Sequence, residues 1–227
     1  MTPKSPSSLR YHLLDQLRGL AVVLMIIFHS AYDLNYFGIY DMNYPENRYW
    51  YALPRFIVFL FLICVGMGLF EAHVPTFHFK KFLSRLRNIV LFAIIISVVT
   101  YFLFPDRWIY FGTLHCIALS SVIGIPFLRF PLIGGLIGLG IVVCDFIFGV
   151  HLPWFNLSHP SMDYIPLLPW CGFTLIGISI AKLGWHKVKI PKISPLEYLG
   201  KHALIIYIIH QPVLFGLTYA IYWLNKS

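Results

Sequence analysis

Residues 14–36 read LDQLRGLAVVLMIIFHSAYDLNY, and two features of this stretch decide how the rest of the chain is read. From Leu20 to Phe28 every residue is apolar. With its flanks the stretch is long enough to cross roughly 30 Å of hydrocarbon, which takes about 20 helical residues. Near its end stand His29 and Asp33, one helical turn apart. Ionisable side chains in hydrocarbon are costly unless paired or hydrated, so an intramembrane His–Asp pair marks a functional site.

Working outward, similar apolar runs recur at 52–71, 87–105, 110–129, 131–150, 164–183 and 198–222. They predict an all-α fold, a polytopic membrane helix bundle of about seven transmembrane helices. The runs fill residues 1–227 as a single transmembrane domain and leave no stretch for a soluble one. Composition agrees: 59% of residues are hydrophobic and 11% charged, with mean hydropathy +0.75, far from soluble globular usage. The fourth and fifth runs touch at Phe130-Pro131, where proline's missing N–H favours a break over one continuous helix. The first run has a longer apolar core than a secretory leader, and no small-residue cleavage site follows it, so it is expected to stay.

Lys and Arg set the expected orientation. Alternating sides from a cytoplasmic N-terminus puts Lys4, Arg10, Arg18, Lys80, Lys81, Arg85, Arg87, Arg129, Lys182, Lys187, Lys189, Lys192 and Lys201 on the cytoplasmic side. Arg48, Arg55, Arg107 and Lys226 fall outside, so the positive-inside rule predicts a cytoplasmic N-terminus and an outside C-terminus. The basic pI near 9.4 is thereby explained by loops in contact with a lipid bilayer, and no nucleic-acid partner is expected. Cys64, Cys116, Cys144 and Cys171 all lie in apolar runs without C-x-x-C spacing and read as buried small hydrophobes.

A rise of about 1.5 Å per residue converts position into depth. His29 falls about 22 Å above the inner boundary, His115 about 8 Å below the outer one and His210 about 18 Å from the inner side, with Asp145 also in the outer third. Asp33 and Arg55 come near the outer ends of two spans joined by a short loop, within reach of each other. Polar groups at one depth on several helices are most economically gathered in a shared polar cavity. Neutral imidazole can take a proton from an incoming hydroxyl or amine, and a carboxylate on its other nitrogen fixes its tautomer. Acyl transfer by direct attack of the acceptor suits such a base, and a covalent acyl-histidine is an alternative. No G-x-S-x-G, H-E-x-x-H or phosphate-loop motif is present, and no metal is expected.

The run Leu14-Asp15-Gln16-Leu17-Arg18-Gly19-Leu20-Ala21, then Met25 and Phe28-His29-Ser30-Ala31-Tyr32-Asp33-Leu34, resembles the opening of the bacterial DUF1624 proteins. These are similar to the catalytic membrane domain of heparan-alpha-glucosaminide N-acetyltransferase and, more remotely, to the wider transmembrane acyltransferases. Further matching stretches are Arg55 with Phe59 and Gly66, residues 111–119, residues 163–170 with Gly172 and Gly177, 199–202, and 207–212.

The resemblance implies transfer of an acetyl or other acyl group from cytoplasmic acetyl-CoA or another acyl-CoA to an extracytoplasmic acceptor, an amino sugar or envelope glycan. His29 would be the catalytic base, with Asp33 its orienter or the partner of Arg55. His115 and His210 would bind the acceptor or polarise the thioester carbonyl, and Asp163, Tyr164 and Trp170 would form the acceptor entrance. Arg18, Lys80, Lys81, Arg85 and Arg87 would hold the CoA phosphates. The implied setting is the bacterial inner membrane, with a homodimer suggested by relatives. Two other classes remain open on the residues alone: a proton-coupled transporter using the His and Asp residues as relays, and a scaffold whose polar residues only join helices.

Overall fold

The computed structural model describes residues 12–151 and 153–226, so Lys4 and Arg10 lie outside the described residues. Eight α-helices follow one another: α1 His12–Tyr36, α2 Arg48–His73, α3 Phe79–Leu103, α4 Thr113–Phe127, α5 Pro131–Phe146, α6 Leu167–Lys182, α7 Ser194–Lys201 and α8 Ala203–Leu224. Among the described residues there is no strand.

α1, α2, α3 and α8 are each long and apolar enough to cross a membrane. α4, α5 and α6 are shorter, with 15, 16 and 16 residues, and reach about 22–24 Å. The break expected at Phe130-Pro131 is present: α4 ends at Phe127 and Pro131 opens α5. The expected last span, 198–222, is instead divided, because His202 leaves helical geometry (φ −104°, ψ 13°) and separates α7 from α8. α6 is kinked at Leu168 (φ −99°, ψ 131°), the residue before Pro169, where proline's ring disfavours the α conformation.

α2 is the central helix, packed against α6, α1 and α4. Its lower two-thirds supply much of the apolar core, including Leu62, Cys64 and Leu69. α5 packs on α6 through glycine: a Cβ at Gly138 would stand 2.5 Å from the carbonyl oxygen of Gly172, so the backbones meet directly. Gly140 faces open space and takes no part in this contact. Cys64, Cys116 and Cys171 are buried as expected, whereas Cys144 is exposed on α5.

α3 and α8 are written the opposite way to a soluble amphipathic helix. α3 exposes Leu91, Ile94, Ile95, Val98 and Val99, and α8 exposes Ile205, Ile209, Val213 and Leu217. The only residues α8 buries are His210 and Thr218, both polar. Apolar outward faces around polar contacts are what hydrocarbon as a solvent selects.

The bundle has two distinguishable ends. At the basic end α7 lies against the start of α1: a Cβ at Gly200 would fall 1.8 Å from the Asp15 carbonyl oxygen, and one at Gly19 2.0 Å from that of Leu196. His12 and Glu197 pair at 2.5 Å across this contact, and Gln16 bonds the carbonyl of Pro191 at 2.9 Å. At the aromatic end Phe37 of the turn after α1 meets Phe215, Tyr219 and Tyr222 of α8. There the segments before α4 and before α6 run together, with Met162 N–H on Arg107 carbonyl at 3.0 Å and Ile165 N–H on Phe111 carbonyl at 3.2 Å.

Candidate functional site

α1 and α8 bring His29 and His210 together. Their ring centroids are 4.8 Å apart at 65°. His210 Nδ1 bonds the carbonyl oxygen of Tyr207 at 2.7 Å, so in the neutral ring Nδ1 carries the proton and Nε2 carries a lone pair. That Nε2 is buried without a partner, and so is Nδ1 of His29. Buried polar atoms are normally hydrogen-bonded, so two orphaned imidazole nitrogens on facing rings single out this seam.

One turn further along the seam, Gln211 Nε2 donates to Asp33 Oδ1 at 2.9 Å. Asp33 is 1% exposed, and its Oδ2 and the Gln211 Oε1 are also unpartnered. Asp33 therefore pairs with neither of its expected partners. Arg55 turns back on its own helix, donating from Nη1 to the Tyr51 carbonyl at 2.7 Å with its guanidinium 3.5 Å from the Tyr51 ring centre. Gln211, to which the sequence assigns no role, lies within the run 207–212, where it and His210 are polar among apolar neighbours.

His115 is not part of the seam. Gly112 N–H donates to its Nδ1 at 3.1 Å, and its Nε2 meets Ser97 Oγ at 3.2 Å while that hydroxyl donates to the Ile109 carbonyl at 2.6 Å. Both ring nitrogens are consumed in capping α4 and holding the 109–112 segment against α3. In this arrangement neither nitrogen is left to meet an acceptor or polarise a carbonyl, the roles expected of His115. Asp145 likewise pairs with His151, at 2.8 Å, at the exposed end of α5.

The expected entrance residues separate too. Asp163 accepts from Thr113 N–H at 2.8 Å, from Thr113 Oγ1 at 3.1 Å and from Tyr207 O–H at 3.3 Å. It stands in for the side chain that Gly112 cannot offer as an N-cap, satisfying an orphan donor of α4. It also ties α4 to α8, and Tyr207 is the residue whose carbonyl holds His210. Tyr164 donates to the Phe155 carbonyl at 2.9 Å and lines an open cavity. Trp170 lies in the core against Phe146 and Phe173, away from any mouth, because at the first turn of α6 it faces α5.

The basic candidates divide in two. Arg18, with 26% of its side chain exposed, lies across α2, within reach of the Cys64 carbonyl at 3.4 Å and Asp15 at 3.6 Å. Gly68 makes room for it, since a Cβ there would be 2.6 Å from Arg18 Nη2. Arg85 of α3 is half-buried. Lys80, Lys81 and Arg87 are exposed. Among the described residues no group of three or more His, Cys, Asp or Glu is placed to hold a metal.

No curated protein and no solved structure matches the chain. The family model described as "Heparan-alpha-glucosaminide N-acetyltransferase, catalytic" matches residues 10–212, which takes in both members of the His29–His210 pair, Arg18, Arg85 and the Asp163 tie. A chain with apolar spanning helices that is matched over so much of its length belongs to the heparan-alpha-glucosaminide N-acetyltransferase catalytic family, a family of membrane acyltransferases.

Proposed function

We propose that the protein transfers an acyl group from a cytoplasmic acyl-CoA, acetyl-CoA first among them, to an amine or hydroxyl acceptor on the opposite side of the membrane. In this reading α4, α5 and α6 complete a seven-span bundle with the basic end cytoplasmic, as the Lys and Arg distribution favours. The observation that carries the proposal is the buried His29–His210 contact with its two unpartnered nitrogens, on a chain belonging to an acyltransferase family.

The basic and polar residues suit the two ends of a CoA thioester. Arg18 and Arg85 are half-buried guanidiniums at the basic end, where a phosphate would find charge-assisted donors. The pantetheine arm then runs along α1 toward His29, eleven residues on, about 16 Å of helix. The acceptor heteroatom attacks the thioester carbonyl carbon while His29 takes its proton. The C–S bond breaks, and the imidazolium returns that proton to the leaving CoA thiolate. Neutral His210 exposes a lone pair and no N–H at Nε2, so it suits accepting a hydrogen bond from the acceptor and does not suit polarising the carbonyl. Asp33, through Gln211, positions α8 beside the reacting groups.

The test is acyl-CoA presented on one side of proteoliposomes and a panel of amino sugars and glycans on the other. Transfer is expected for the native protein and lost in His29→Ala, while thermal stabilisation by CoA persists. Transfer that survives in His29→Ala would sink the base assignment. A chain that neither binds CoA nor transfers acyl groups, but moves protons, would be a carrier.

A further inference from the structure

At the aromatic end a cavity of about 390 Å³ opens between the segments that precede α4 and α6. It is walled by Tyr110, Asn156, Leu157, Ser158, His159, Pro160, Ser161 and Tyr164. Its volume falls within the roughly 300–1,000 Å³ of small-molecule sites. None of the described residues lining it is Lys, Arg, Asp or Glu. The nearby Asp163 carboxylate is turned elsewhere, taken by Thr113 and Tyr207.

What the wall offers is an alternation of donors and acceptors between aromatic faces. Tyr110 O–H donates to Asn156 Oδ1 at 2.6 Å, which fixes the amide with Nδ2 available as a double donor. His159 Nδ1 bonds the Pro160 carbonyl at 2.9 Å, so the neutral ring presents Nε2 as an acceptor. The Tyr164 and Ser161 hydroxyls spend their protons on the carbonyls of Phe155 and Asp163, at 2.9 and 3.2 Å, and keep their lone pairs. The rings of Tyr110 and His159 stand edge to face, with centroids 5.3 Å apart, and Trp108 backs both. A hydroxyl both donates and accepts, so a ligand carrying several hydroxyls matches this wall, and its C–H faces match the aromatic ones. An anion finds no lysine or arginine in this wall.

We infer that this cavity binds an uncharged glycosyl unit and so selects a neutral sugar ring over a sulfated, phosphorylated or uronic one. It rests on the proposed acyl transfer only in taking that ring to be part of the acceptor. The same segment continues into Asp163 and thence to Tyr207, the residue that holds His210, so a ring seated here is docked on the frame of the catalytic seam.

The test uses the full chain in nanodiscs with methyl glucoside, methyl glucuronide and glucose 6-sulfate as probes, read by saturation-transfer NMR and titration calorimetry. Methyl glucoside is expected to bind saturably, and more tightly than either anionic ring. Asn156→Ala and His159→Ala are each expected to weaken it by about tenfold while leaving stabilisation by CoA unchanged. No saturable binding of the neutral ring, tighter binding of the anionic rings, or native affinity in both variants would each overturn the inference. Preference among the probes is read on the native chain, so a variant that fails to fold does not remove the test. His29-dependent acyl transfer without binding at this cavity defeats the cavity assignment alone. Neutral-ring binding without any acyl-CoA-dependent transfer defeats the proposed reaction alone.

Discussion

His210 and His115 are both histidines in apolar helices toward the aromatic end, yet their rings are in opposite chemical conditions. Each His115 nitrogen is spent on the chain itself, one on the Gly112 N–H and one on Ser97, and the result is a capped helix. His210 is held by one nitrogen and presents the other, unpartnered, to the ring of His29. Partnership separates the two more sharply than depth or residue type. A histidine with both nitrogens bonded contributes to stability, and one with a buried free nitrogen is available for chemistry.

The sharpest way to break this contrast is to remove each ring in turn. His29→Ala is expected to lower the acyl-transfer rate by about 10²–10⁴-fold, the range for loss of a general base, with little change in the unfolding temperature. Single-turnover CoA release measures it. If the loss is smaller than tenfold, the seam is a packing contact like that of His115. A smaller effect is expected at the carboxylate that braces the seam. Asp33→Leu strips Gln211 Nε2 of its acceptor and should cost about tenfold in kcat, whereas Asp33→Asn keeps an oxygen there and should restore most of it with KM for acyl-CoA unchanged.

His115→Ala should do the reverse of His29→Ala. It leaves the Gly112 N–H and the Ser97 hydroxyl short of a partner, costing about 1–3 kcal/mol in stability, while the protein that remains folded keeps its turnover. Thermal unfolding with activity measured on the folded fraction separates the two. Equal loss of rate and stability would return His115 to the site.

The mildest effect concerns the basic end, where a fourth histidine, His12, is bonded to a carboxylate. Burial pushes the Glu197 carboxyl up, but the hydrogen bond and charge of His12, with Lys192 and Gln16, hold it below the usual glutamate value. A group lowered in the folded state stabilises it above the unfolded value and loses that contribution as pH falls through the folded one. The α7–α1 contact is therefore expected to loosen only below about pH 4.3, seen as faster amide exchange in α7 and absent in Glu197→Gln. Acid loosening that persists unchanged in Glu197→Gln would contradict the pairing.

Much of the fold is legible in the order of the residues because hydrocarbon imposes a length and a polarity that any stretch either meets or fails. The runs that became α1, α2 and α3 are examples, and Pro131 announces its own break. The division at His202 is legible only in part: Gly200-Lys201-His202 interrupt the apolar run from 198 to 222, but they do not say that α7 lies on α1. The short lengths of α4 and α6 are set by the segments at 109–112 and 163–166, whose hydrogen bonds come from distant residues. In the site, position along a helix fixes depth, which puts His29, His115 and His210 at similar levels and Arg55 near Asp33. Helix rotation is not written in position, and it sends His115 to Ser97 and Arg55 to Tyr51.

By itself, then, the sequence determined a chain of apolar helices with a few ionisable residues inside them, because the cost of charge in hydrocarbon acts on each residue where it stands. It also carried the family pattern, which depends on residue order alone. Only the tertiary structure decided which polar groups found partners. A hydrogen bond requires two atoms about 3 Å apart, and whether Asp33 meets Arg55 or Gln211 depends on how α1, α2 and α8 are turned against one another.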